Sequence, residues 1–203
     1  MKYLLLVLLL GLHAACAHAQ VISFKDTIAT YNLQRIRLNT TGTRVLATWG
    51  IANMAAGAIG YAAHPQEDEW KYFHAMNAGW GAVNTVIATA GMLRSRSELR
   101  NVPGADKAYK RYKNNKRLYL VNSGLDVAYI VTGIAMSRHG QNGKTTNPAL
   151  YTGFGNSITL QGVALLLFDN FMYAAQLRNN SNWYRIINEI RLSGNSIGIN
   201  HTL

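Results

Sequence analysis

Apolar residues gather in four long stretches separated by polar and charged connections. The first covers about 45–63 after Arg44, the second about 70–93 before Arg94, the third about 118–137 after Arg117, and the fourth about 158–177 before Arg178. Each approaches the ~20 residues that a helix needs to cross a ~30 Å hydrocarbon core. A backbone inside lipid must satisfy its own hydrogen bonds, so each stretch predicts a helix. Polar residues recur within them at helical spacing. On the second stretch His74, Asn77, Gly81, Asn84, Ala88 and Gly91 share a face; on the third Asn122, Asp126, Tyr129 and Gly133 do. Gln161, Leu165, Asp169 and Tyr173 form the fourth seam, and Trp49, Asn53, Gly57 and Gly60 the first. Steps of three and four put such residues on one side of a helix, and that side is expected to face the bundle interior. Small residues at the same spacing, among them Gly57, Gly60 and Gly81, let helices pack closely. A buried helical bundle in water is the competing reading of these lengths, and the flanking arginines favour the membrane.

Flanking segments have a different period. Trp183, Ile186, Ile187 and Ile190 recur with Arg185, Asn188, Glu189 and Arg191 between them, the pattern of an amphipathic helix lying at a membrane surface. Residues 26–40 read as another, capped by Asp26 or Thr27. The domain reading is therefore a lead-in at 20–44, a membrane domain at 45–177 and an interfacial helix and tail at 178–203. The fold class expected is all-α, an antiparallel four-helix transmembrane bundle with flanking interfacial amphipathic helices.

Before all of this comes a processing signal. Lys2 precedes the apolar run Leu4–Leu12, and Ala17-His18-Ala19 follows. That arrangement reads as a secretory signal peptide over 1–19. Cys16, the only cysteine, lies within it, so the chain after cleavage offers no disulfide, thiolate or cysteine metal site. The formal net charge of +11 invites a nucleic-acid reading. Its placement argues otherwise, because nine Lys and Arg residues crowd the 94–117 connection between apolar stretches. There Tyr109, Tyr112 and Tyr119 suit lipid headgroups. Four full spans put sixteen Lys and Arg on one side of the membrane, with Glu67-Asp68-Glu69 on the other. Positive-inside counting puts that basic side in the cytoplasm, whereas a cleaved signal peptide puts Gln20 outside.

Asp126 and Asp169 stand out because carboxyl groups in a bilayer are costly and mark a function or a specific partner. Asn53 lies nine residues past Arg44, Asp126 nine past Arg117, Asp169 nine before Arg178 and Asn84 ten before Arg94. At 1.5 Å per residue, all four fall about 14 Å into the membrane, near its midplane. They form a candidate buried polar layer, with His74, Asn77 and Gln161 in a second. One reading is structural: acids and amides hydrogen-bond across helices for roughly 0.6 kcal/mol each and fix register. The other is that the two carboxyls share a proton or hold a cation and titrate as a unit. A metal or haem between His74 and His139 is disfavoured because His139 lies at a segment end. No HExxH, CxxC, P-loop or GxSxG pattern is present. The residues thus give no catalytic role and no cofactor. The expected partners are the lipid bilayer and either a second copy or another subunit of a membrane complex; nucleic acid is not among them.

Several strings carry a family likeness. They are Tyr72-Phe73-His74-Ala75-Met76-Asn77 with Trp80 and Asn84, then Asn122 through Tyr129, Gly153 through Gly162, and Leu167-Phe168-Asp169 through Tyr173. Over roughly 33–177 the chain resembles a family of small bacterial integral membrane proteins of unknown function. The resemblance implies a signal peptide, four membrane helices, a bacterial membrane location, expected to be the inner one, and no established activity.

Overall fold

The computed structural model describes the backbone of residues 2–64, 66 and 68–192, and the side chains of residues 29–64, 66, 68–104 and 106–179. Within them the chain forms four helices: α1 (Lys2–Ala63), α2 (Glu69–Arg100), α3 (Ala105–Gln141) and α4 (Pro148–Leu192). Three regions, Ala29–Ala63, Asp106–Gln141 and Pro148–Asn179, are long and apolar enough to cross a membrane. The α2 helix is long enough at 32 residues, but its His74, Asn77, Trp80 and Asn84 seam dilutes its apolar content.

Local chemistry sets the helix ends. The last residue of α1 stands two positions before Pro65, which disfavours helical backbone in the residue preceding it. Asp68 caps α2: its backbone is extended, and its carboxylate accepts from the Lys71 N–H at 2.8 Å. Asn147 does the same for α4, accepting from the Leu150 N–H at 3.1 Å, with Pro148 at the first helical position. Between α3 and α4, Gly143 turns the chain with φ +66°, a backbone conformation that glycine adopts without steric cost.

The helices associate as two close pairs. Gly81 lies against the backbone of Met54 and Gly50, where an added Cβ would come within 2.5 Å of the Met54 nitrogen. Gly57 meets the Ala78 and His74 backbone, and Gly60 meets the His74 ring. Residue numbers therefore rise on α1 as they fall on α2. The α3–α4 seam repeats the device, with Gly133 against Gly155 and Thr159, and Gly140 against Pro148 and Thr152. Contacts between α2 and α4 join the two pairs.

What is buried is mostly polar. Asn32, Arg35, Asn84, Ser157, Gln161 and Gln176 are each at most 2% exposed, whereas Ile59, Val86, Leu167 and Phe171 are each about two-thirds or more exposed. The lead-in, expected at the membrane surface, packs inward through Tyr31, Asn32, Arg35 and Ile36 and continues unbroken into the first apolar stretch. Likewise α4 runs past Arg178 as one helix to Leu192. The side chains of Trp183, Ile186, Ile187 and Ile190, and those of the signal-peptide stretch, lie outside the described residues.

Candidate functional site

The seven polar residues singled out in the sequence separate into three places. The first is a hydrogen-bonded knot between α1, α2 and α4, centred on Gln161. Its amide nitrogen donates to Asn53 Oδ1 at 2.8 Å and to Asn77 Oδ1 at 3.0 Å. Its Oε1 accepts from Trp49 Nε1 at 3.0 Å. Ser157 Oγ donates to Asn77 at 2.8 Å, and Asn53 Nδ2 returns to the Trp49 carbonyl at 2.8 Å. Every polar group of Gln161 is thus engaged, and the knot is sealed.

The second place is a cavity of about 390 Å³ lined by all four helices. Asp126 of α3, Asp169 of α4 and Asn122 of α3 line it together. Asn84 of α2 lines the same wall. Two aromatic pairs flank the carboxyls: Trp80 and Tyr129, with ring centres 5.1 Å apart, and Tyr119 and Phe168, at 6.5 Å. Asp126 is 3% and Asn84 2% exposed, yet Asp126 Oδ2 and Asn84 Nδ2 have no hydrogen-bond partner among the described residues. Asn115 Nδ2 at the same cavity, and Asn32 Oδ1 and Gln176 Oε1 elsewhere, are likewise unpartnered among the described residues. The cavity reaches Arg94 and Glu98 at its other end.

His74 belongs to neither. It stacks on His64 at 5.7 Å and adjoins Trp70 and Phe73, at the end of α2 far from Asp126 in the helix register. Equal counts from the flanking arginines therefore do not give equal partners. Asn53 joins Gln161 and Asn77, while Asn84 shares the cavity with the acids, because helix rotation about its own axis decides which neighbour a side chain meets.

A third cluster had no sequence signal beyond Glu98 standing among many basic residues. Arg35, wholly buried, donates to Glu98 Oε2 at 2.6 Å. Arg94 donates to Oε1 at 3.2 Å, and Arg111 approaches the same oxygen at 2.9 Å. Burial pushes the Glu98 carboxyl up, but the Arg35 hydrogen bond and the charges of Arg35 and Arg111 outweigh it and hold the group below its ordinary range. Beside it, Asn32 Nδ2 donates to the Pro103 carbonyl at 2.8 Å, tying α1 to the α2–α3 connection.

A family of unknown function, DUF6992, has a profile that matches residues 45–170, more than half of the chain. The chain belongs to this family. The DUF6992 region contains the whole Gln161 knot and both aspartates; Arg35 lies before it. No curated protein and no solved structure matches the chain.

Proposed function

We propose that this is an integral protein of a bacterial inner membrane, an antiparallel four-helix bundle in which α2 supplies the fourth span over 70–93, made with an N-terminal signal peptide. It acts without enzymatic chemistry, handling protons or small cations at Asp126 and Asp169. The opposed glycine registers support the antiparallel arrangement. The outward apolar and inward polar distribution supports the bilayer, since so large an apolar surface facing water would be costly. Alone, α2 would be a poor span. Packed, it turns Asn77, Asn84 and Gly81 inward and Val83, Val86 and Ile87 outward.

One observation carries the functional part: the carboxyl pair lines a cavity. A polar layer serving packing alone would be closed around its hydrogen bonds, as Gln161 is by Asn53, Asn77 and Trp49. The Asp126–Asp169 wall instead lines a cavity, and beside it the buried Asp126 Oδ2 and Asn84 Nδ2 have no hydrogen-bond partner among the described residues. A carboxylic acid facing a carboxylate in such a place can accept or release a proton or neutralise a cation. Reconstitution tests this. Proteoliposomes with an imposed proton or cation gradient should dissipate it at least tenfold faster with wild type than with Asp126→Asn at equal protein content. Equal rates would remove the reading and return the pair to a packing role.

A further inference from the structure

We infer that the cavity binds an organic ammonium ion, a protonated amine bearing an apolar body, with its N–H groups on the Asp126–Asp169 pair. This rests on the cation-handling reading above and names the kind of cation. Three features of the cavity converge on it. At about 390 Å³ it falls within the range of small-molecule pockets and is far larger than one bare ion requires. Its walls are largely aliphatic and aromatic, with Leu125, Leu165 and Ile87 beside Trp80, Tyr129 and Phe168. A desolvated hard cation wants a close shell of six to eight oxygens, roughly. An ammonium wants a carboxylate and aromatic faces, which attract it through the ring quadrupole.

The unpartnered atoms give the ligand its polarity. Asp126 Oδ2 requires a donor, and a protonated amine carries N–H donors along with its charge. Asn84 Nδ2, an independent group on a different helix, requires an acceptor. A hydroxyl or carbonyl on the same molecule would supply it. The pair also fits a monocation: one carboxylate balances one positive charge, and the second carboxyl keeps its proton as a hydrogen-bond donor to the first. A neutral molecule of the same shape would leave that charge unpaired.

The full chain in lipid nanodiscs, titrated by calorimetry with phenethylamine hydrochloride, tests the inference, with 2-phenylethanol as neutral counterpart, NaCl and KCl as inorganic cations, and empty nanodiscs as the partition control. Saturable binding of the amine, at least tenfold tighter than the alcohol and weakened at least tenfold by Asp126→Asn, is the expected result. Asn84→Ala, which removes no charge, should weaken phenethylamine little and 2-amino-1-phenylethanol more. Chromatographic profile and thermal midpoint establish that the variants are folded. Saturable binding of Na⁺ or K⁺ without the amine would overturn the ammonium assignment and leave the cation site standing. Asp126-dependent proton flux with no binding of any probe would also overturn it and leave proton handling standing. Amine and alcohol binding alike would make the cavity merely apolar and overturn it as well. Loss of both binding and Asp126-dependent flux would overturn this inference together with the function it rests on.

Discussion

Gln161 and Glu98 show what single residues do in this interior. Gln161 bonds three side chains, so Gln161→Leu strips partners from Asn53, Asn77 and Trp49 together. At roughly 0.6 kcal/mol per membrane hydrogen bond, the loss should be about 2 kcal/mol, against about 0.6 for Trp49→Phe. Reversible unfolding in mixed micelles would show the ordering, and equal effects would mean that the three bonds of Gln161 do not contribute independently. Glu98 is the counter-ion of a wholly buried arginine. Glu98→Gln leaves Arg35 charged and unpaired, which costs about 3–5 kcal/mol for a buried pair. The same carboxylate sets an acid limit. Its depressed folded value means that its stabilisation is fully present above the ordinary 4.5 and is lost as pH falls from there through the folded value. Wild type should lose stability in that window, and Glu98→Gln, already destabilised, should lose less. A parallel acid profile in both would assign the drop to other groups.

At the scale of the helix, the glycine seams govern association. A side chain at Gly57 would enter the Ala78 and His74 backbone, whereas Gly79, two residues before Gly81 and exposed, meets nothing within 4 Å. Gly57→Leu should part α1 from α2 and lower the thermal midpoint sharply or prevent folding. Gly79→Ala should be neutral or stabilise by up to about 1 kcal/mol, the difference between the two residues' helix propensities. Four helices were readable from spacing, because a helix repeats every 3.6 residues whatever surrounds it, but only three of them contain regions long and apolar enough to cross a membrane. The extent of the helices was less readable. Segments 26–40 and 178–192 look amphipathic and separate in sequence, yet their backbones continue α1 and α4. Continuity needs only the absence of a breaker, while burial of Asn32 and Arg35 depends on what the distant end of α2 and the α2–α3 connection bring against them.

For the whole molecule, charge and register make a topological prediction. The turns at 101–104 and 142–147 lie at opposite ends of the bundle, since α3 runs between them. Sixteen Lys and Arg residues favour the cytoplasm for the first end. With Cys16→Ala as background, Asn101→Cys should resist a membrane-impermeant maleimide in intact cells, and Asn142→Cys should react. The reverse pattern would mean that the signal peptide, and not the charge bias, sets orientation.

The sequence by itself determined the four helices, their polar seams and the two acids to watch, since periodicity, length and the cost of a carboxyl in lipid are local matters. Only the tertiary structure decided which polar groups meet. It sealed Asn53, Asn77 and Gln161 into one knot, set Asn84 beside Asp126 and Asp169 on open volume, and paired Arg35 with Glu98 across 63 residues. Depth along a helix follows from counting, but partnership depends on rotation and crossing, which are fixed by packing between segments far apart in the chain.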